Sequence, residues 1–300
     1  MLSRRGLIIG GGALAAVSLS GCSEKVNKAL GFAQRMVEIE KRHGGRVGVS
    51  AITGDKVDEA LSIQSTERFA HCSTFKWVLA TATLQQIDQG KLTLDKAIPY
   101  GKADLLEYAP TTTAHVGEGH MKVVDLCGAA VSLSDNTAAN LLLPLIGGPA
   151  GLTAFVRGLG DTETRFDRNE PTLNTNLPKD DRDTTTPDAM SHLLKTVFTG
   201  TVLKPETLAR LKDWMVKTST GPNRIRAGVP ADWVVAHKTG TGENSAINDV
   251  GVLWPPAKPP IYLSIYTSGG ALDEAGHDKV IADTTKLVLD TLDFVKSLDK

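Results

Sequence analysis

Histidine and cysteine are sparse in this chain, and neither falls into a metal-binding pattern. Seven histidines and three cysteines include no His-x-His, no His-Glu-x-x-His and no Cys-x-x-Cys, so zinc chemistry, and a bound metal generally, finds no support. An excess of either charge is missing as well. Lys and Arg number 33 against 34 Asp and Glu, a net charge of −1, which leaves no concentrated basic face for nucleic acid. Internal repeats, low-complexity tracts and runs of like charge are absent too. An uncharged apolar run near the N-terminus, Gly6 to Gly21, is glycine-rich and falls short of the roughly 20 apolar residues that a membrane span needs.

What remains is the composition of an ordinary globular protein, 41% hydrophobic and 22% charged. Its 300 residues can hold one large domain or two interleaved lobes. The first 21 residues stand apart from that fold. Arg4-Arg5 followed by the short apolar run reads as a twin-arginine signal peptide, an export address and not an anchor. Leu19-Ser20-Gly21-Cys22 resembles a bacterial lipobox, which implies cleavage before Cys22 and lipid attachment to its thiol; the plainer alternative is a cleaved signal with an incidental cysteine. The expected location is periplasmic, with membrane contact through the lipid alone. Cys72 and Cys127 then remain. Their spacing demands no disulfide, and two buried free thiols are expected.

Residues 25–43 form an amphipathic pattern, with Val26, Leu30, Phe32, Met36, Val37 and Ile39 among charged neighbours and Gly44-Gly45 as its stop. Arg46–Thr53 and Ala60–Ile63 predict a hairpin, Val47, Val49 and Ala51 alternating along the first strand. From about 73 to 215 the pattern is mostly helical: Phe75–Gln89 ending at Gly90, Val123–Val131, Thr137–Ile146 and Thr186–Val197. Between the last two lies a polar segment, 161–185, and a long loop inside a compact domain is usually functional. Trp233–His237, Asp249–Trp254 and Ile261–Thr267 predict strands, and Ala271–Leu298 a final helix. The simplest assembly is an α/β (α+β) fold. One antiparallel sheet pairs the early hairpin with the late strands, the terminal helices pack on it, and the helical block forms an inserted all-α lobe. The boundaries are 22–66 with 217–300 for the first lobe and 67–216 for the second, the active site lying in the cleft between them.

Ser73-Thr74-Phe75-Lys76 is the first candidate for chemistry. With Ser73 opening a helix, Lys76 follows one turn later on the same face. A serine hydroxyl is a weak nucleophile without a neighbouring base, and an amine in a desolvated site can become one. The helix start adds N–H groups that favour a developing oxyanion. Alone this is weak, because Ser-x-x-Lys arises about once by chance in a chain this long; Ser297-Leu298-Asp299-Lys300 is such an accident. Two companions change the weight: Ser134-Asp135-Asn136 between two helices, and Lys238-Thr239-Gly240 at the end of a predicted strand. Either triplet alone reads as a turn or a strand end; their conjunction in this order does not.

Together these motifs resemble the penicilloyl serine transferase set. Within it, Arg168-Asn169-Glu170-Pro171-Thr172-Leu173-Asn174, with Asp183-Thr184-Thr185, is similar to the omega loop (here 165–183) of class A β-lactamases. The resemblance runs from about residue 27 to the C-terminus. It implies a hydrolase of penicillins and cephalosporins that confers antibiotic resistance, needs no cofactor and works as a monomer. Ser73 would be the acylated nucleophile and Lys76 part of its proton network. Glu170, helped by Asn174, would activate the water that releases the acyl group. Ser134 would protonate the leaving nitrogen, and Asn136 would bind the substrate's side-chain amide. Lys238, Thr239 and Gly240 would lie along the substrate carboxylate, with Arg224 replacing an arginine that many relatives carry just after Lys-Thr-Gly. Backbone N–H groups of Ser73 and Thr241 would form the oxyanion hole, Tyr108 would line the mouth of the site, and the Arg168–Asp183 pair would close the loop.

The departures are specific. Cys72 precedes the nucleophile as in the carbapenem-hydrolysing branch, but the partner position is Gly242, so that branch's disulfide cannot form. Cys127 matches one half of the common class A disulfide, whose other half is Ala80 here. His237 stands where aspartate is usual. Two other functions share parts of the motif set: a D,D-peptidase, which lacks the Glu170–Asn174 apparatus, and a β-lactam sensor that stays acylated.

Overall fold

The computed structural model describes residues 23–54 and 60–297; the leader and Cys22 lie outside them. Helix α1 (Ser23–His43) carries Lys41, Arg42 and His43 in its last turn, where cations complement the helix dipole. It ends at Gly44 with φ 77°. Phe32, Met36 and Ile39 are buried, but Val37 is 64% exposed. The expectation for Val37 is thus corrected: one residue past Met36, it is turned about 100° off the apolar stripe.

Strands β1 (Gly45–Thr53) and β2 (Ala60–Ile63) form the early hairpin. They join β7 (Val234–Gly242), β8 (Ala246–Trp254) and β9 (Ile261–Gly269) in one sheet of order β2-β1-β9-β8-β7. Every pairing is antiparallel, with Val49 opposite both Ile63 and Ile265. Alternation works on both faces at once. Val47, Val49, Ala51, Leu263 and Ile265 pack with α1 and the C-terminal helix α10 (Glu274–Ser297). Ile52, Val250, Val252, Tyr262 and Tyr266 face the helical block and join its core. A strand covered on both sides is buried continuously, as β1 is from Val47 to Thr53.

The helical block surrounds α2 (Phe75–Asp88), buried at every position from Phe75 to Leu84, as a central helix must be. Around it stand α3 (Pro110–His115), α4 (Val123–Ser132), α5 (Asn136–Leu142), α6 (Gly148–Gly158), α7 (Pro187–Thr199) and α8 (Pro205–Val216). The helix expected over Thr137–Ile146 is α5 followed by a 3-10 turn, Leu143–Ile146, containing Pro144. Short pairs tie loops together: β3 (Phe69–Ala70) with β6 (Thr184–Thr185), and β4 (Ala97–Pro99) with β5 (His120–Lys122). One boundary is corrected here. The strand expected to stop at His237 continues through Gly242, which pairs with Ala246, so Lys238-Thr239-Gly240 lies inside an edge strand and not at its end. Ladder hydrogen bonds to β8 carry it across two glycines that would otherwise read as a stop.

Candidate active site

Ser73 sits in a 3-10 turn, Cys72–Thr74, that leads directly into α2. Cys72 has φ 46°, and the Thr74 hydroxyl donates to the carbonyl of His71 at 2.6 Å. Strand β7 presses against this turn. A Cβ at Gly240 would meet the His71 carbonyl at 2.8 Å and the Cys72 Cβ at 3.1 Å, so only glycine lets the strand approach the Ser73 turn this closely. One turn along α2, Lys76 Nζ donates to Ser73 Oγ at 2.9 Å and to the Ser134 carbonyl at 2.8 Å. It also bonds Asn136 Oδ1 and lies 2.9 Å from Glu170 Oε1. Ser73 Oγ in turn donates to Glu170 Oε1 at 3.1 Å. An ammonium has no lone pair, so beside charged Lys76 the serine must accept on that side and offers its proton to Glu170.

Ser134, with φ 60°, bridges the two lysines: its Oγ accepts from Lys76 at 3.4 Å and from Lys238 at 3.0 Å. Asp135 holds this turn. One carboxylate oxygen caps α5 through the Ala138 amide at 2.9 Å, and the other accepts the amides of Thr111 and Thr112, each at 2.9 Å. The Asn136 amide donates to the Tyr108 carbonyl at 3.0 Å, which brings the half-exposed Tyr108 ring to the rim.

Glu170 reaches the cleft on the loop 165–183. The Arg168 guanidinium donates to Asp183, which also accepts the amides of Asp167 and Arg168 at 2.8 and 3.0 Å. Asp183 is fully buried, so this is an enclosed, hydrogen-bonded pair and not a solvated contact. The Asp183 carbonyl accepts from the His71 amide at 3.0 Å, tying the loop's end to the turn that carries Ser73. A residue that the sequence did not single out does comparable work. Asn140 of α5 accepts the Glu170 amide at 3.0 Å and donates to the Glu170 carbonyl at 2.9 Å. Asn174 donates to Glu170 Oε2 at 2.6 Å, while its own Oδ1 is buried and has no hydrogen-bond partner among the described residues. A carboxylate and an amide oxygen thus stand side by side as acceptors next to Ser73.

At the other end of the cleft, Lys238 Nζ donates to the Thr239 carbonyl at 2.8 Å and Thr239 Oγ1 pairs with Thr220 Oγ1 at 2.6 Å. Arg224 is buried against β7 with four donors engaged: Asp278 at 2.6 Å, the carbonyls of Gly240 and Asn248, and Thr241 Oγ1 at 3.0 Å. Because Thr241 Oγ1 accepts from Arg224, its own proton is free to face the cleft. His237 points away, its Nδ1 2.9 Å from Asp249, whose carboxylate also accepts the Ile225 amide at 3.1 Å. It therefore fixes α9 (Ile225–Gly228), immediately after Arg224. The cleft, of about 550 Å³, is lined by Ser73, Tyr108, Ser134, Asn136, Asn174 and Thr239 together with Arg224 and Thr241.

Burial sets the charges. It pushes Lys76 below the usual lysine range, against the opposing pull of Glu170. Burial also raises Glu170, but the charge of Lys76 and hydrogen bonds from Lys76, Asn174 and Ser73 outweigh it and hold the carboxyl below the usual glutamate range. Lys238 falls well below its ordinary value through burial and the charge of Lys76. Cys72 and Cys127 are buried and unpaired, and burial lifts the Cys127 thiol to about 12. Cys72 Sγ would lie 2.6 Å from a Cβ at Gly242. Among the described residues no three His, Cys, Asp or Glu side chains are grouped to hold a metal ion.

Residues 31–292 match the model of the β-lactamase enzyme family. The chain is 39% identical over 280 residues to β-lactamase SME-1 of Serratia marcescens, covering 92% of this chain and 94% of that one. It is 41% identical over 259 residues to β-lactamase AST-1 of Nocardia asteroides, covering 86% and 83%. Among solved structures, an ancestral (GNCA) class A β-lactamase superposes with a TM-score of 0.84 at 49% identity, covering 86% of this chain and 99% of that one.

Proposed function

Because this chain belongs to the class A serine β-lactamases and is a β-lactam hydrolase, we propose that it opens penicillins and cephalosporins through an acyl-enzyme on Ser73. Ser73 Oγ attacks the lactam carbonyl carbon as its proton passes to the Glu170–Lys76 pair. Backbone N–H groups of Ser73 and Thr241 take the developing oxyanion. The C–N bond breaks as Ser134 hands its proton to the departing nitrogen, and Lys76, within hydrogen-bond reach, resupplies Ser134, so the proton taken from Ser73 is passed on and Glu170 is left ionised for the next step. Lys238, Thr239 and Thr241 hold the substrate carboxylate with Arg224 behind them, and Asn136 takes the side-chain amide. A water between Glu170 and Asn174 then attacks the ester carbonyl and frees Ser73.

The observation that carries this reading is Glu170 Oε1 3.1 Å from Ser73 Oγ with Asn174 on the other carboxylate oxygen. That is a general base beside the ester to be cleaved. Nitrocefin supplies the test: the protein should turn it over many times, and Ser73→Ala should lose both turnover and covalent labelling by penicillin while remaining folded. A single burst would mean a D,D-peptidase or sensor. Hydrolysis by Ser73→Ala near the unmutated rate would remove the nucleophile assignment.

The protein also acts outside the cytoplasm in this reading, exported by the twin-arginine route and held at the membrane by a lipid on Cys22. Leu19-Ser20-Gly21-Cys22 supports it, and among the described residues no single helix is long and apolar enough to cross a membrane. The proposed working unit is a monomer, because the contacts that join Ser73, Lys76, Ser134, Glu170 and Lys238 are all made within one chain. Cys22→Ser should move the enzyme from the membrane to the soluble fraction; an unchanged membrane fraction counts against the anchor.

A further inference from the structure

Two asparagines outside the catalytic set join the omega loop to the turn between β7 and β8. Asn244 Nδ2 donates to the carbonyls of Thr175 and Asn176 at 3.2 and 3.1 Å. Asn176 Nδ2 reaches back to the carbonyls of Glu243 and Asn244, each at 3.2 Å, and to Ser268 Oγ at 3.1 Å. Two main-chain bonds flank this exchange: the Glu243 amide to the Asn174 carbonyl and the Gly269 amide to the Asn244 carbonyl, both 2.8 Å. Asn176 and Asn244 have φ of 41° and 50°, a left-handed conformation that asparagine tolerates better than most residues. The β7–β8 turn and the loop are therefore one reciprocal amide clamp, and Asn174 is the catalytic-side residue it grips.

We propose that Asn176 and Asn244 are positioning residues for deacylation, acting through Asn174 on Glu170; this rests on the proposed role of Glu170. The bonding pattern separates the two chemical steps. Ser73, Lys76, Ser134 and Lys238 are held by α2, the turn before α5 and β7, and none of them bonds residues 174–176 directly; Ser73 and Lys76 meet that segment only through Glu170. The Glu170 backbone is pinned independently by Asn140. The clamp bears on where Asn174 stands, alongside Asn174's own bonds to the Pro171 carbonyl, and Asn174 both orients the Glu170 carboxylate and presents the buried Oδ1 acceptor beside it. Loosening the clamp leaves the nucleophile intact and blurs the seat of the attacking water.

In an acyl-enzyme mechanism kcat/KM reports the steps up to acylation, whereas slower release lowers kcat and KM together. The clean substitutions are Asn244→Gly and Asn176→Gly, because glycine accepts the left-handed backbone and removes only the amide. With benzylpenicillin, and rates expressed per Ser73 site titrated by covalent labelling, each variant should lose about tenfold or more in kcat. KM should fall in proportion, kcat/KM should stay within about twofold, and mass spectrometry should find acyl-enzyme accumulating during turnover. The double variant should lose less than the product of the two single losses, since either change opens the same clamp. Glu170→Gln, run alongside, tells the two claims apart. If it accumulates adduct while Asn244→Gly keeps full kcat with no adduct, the clamp proposal fails and the role of Glu170 stands. If Asn244→Gly loses kcat/KM as much as kcat, the clamp supports the whole site and the deacylation assignment is overturned. If Glu170→Gln stays free and hydrolyses on, both claims fall together.

Discussion

Lys238 has a task that its environment makes pH-sensitive. In its proposed role it must be charged to hold a substrate carboxylate, yet burial and the neighbouring charge of Lys76 depress it well below an ordinary lysine. A cation is lost as pH rises through its pKa, so kcat/KM should decline on the alkaline side well before the usual lysine value of about 10.4. Lys238→Arg keeps the charge and does not titrate, so it should move that limb to higher pH; a limb left unmoved would assign the titration elsewhere. Glu170 gives the opposite limb. Its depressed pKa keeps it ionised as pH falls through the ordinary glutamate value of about 4.3, so deacylation should persist below that pH. Residues of this kind were legible in the sequence because the chemistry demands one side-chain type at one spacing, as in Ser73 and Lys76. Asn140, Asn176 and Asn244 were not. Their work is bonding to backbone, which leaves no pattern in the sequence and needs the folded partners to be seen. His237 belongs with them: Asp249, which fixes its orientation, is twelve residues away and opposite a neighbouring register position.

The omega loop is an element held by enclosed polar bonds instead of an apolar core. Asp183 is buried and receives two amides and a guanidinium, so neutralising it leaves Arg168 with poorer compensation. Asp183→Asn should cost about 2–4 kcal/mol, or roughly 5–10 °C in Tm for a domain of this size, read by thermal unfolding. It should also slow deacylation, since Glu170 rides on the same loop. An unchanged Tm would return the pair to the class of weak surface contacts. At this scale the sequence located the loop and the helices around it but misjudged ends. The β7 strand runs past His237 because pairing with β8, not local propensity, carries it through Gly240 and Gly242. Helix α6, which opens on Gly148-Pro149-Ala150-Gly151, and helix α8 escaped notice; the glycine-rich opening of α6 reads as loop until the packed block encloses Leu152 and Val156.

Across the whole molecule, two apolar clusters lie on opposite faces of one sheet, and the catalytic cleft opens where the sheet's edge strand meets the helical block. That arrangement joins Ser73 to Glu170 and Ser134 to Lys238, partners far apart in sequence, with Lys76 in contact with both pairs. The pairing of β1 with β9 was foreseeable because two groups of strands, separated by a helical block, had to share one core. The central claim is that this assembly releases its acyl group through Glu170. Without the carboxylate, acylation still has Lys76 beside Ser73, Ser134 and the N–H groups at the helix start, whereas the releasing water has no second base, and removing a positioned base typically costs ~10²–10⁴-fold. Glu170→Gln mixed with benzylpenicillin and weighed by mass spectrometry is the most direct measurement. The account predicts a long-lived adduct carrying the intact drug on Ser73. Unmodified enzyme accompanied by continued hydrolysis would contradict it.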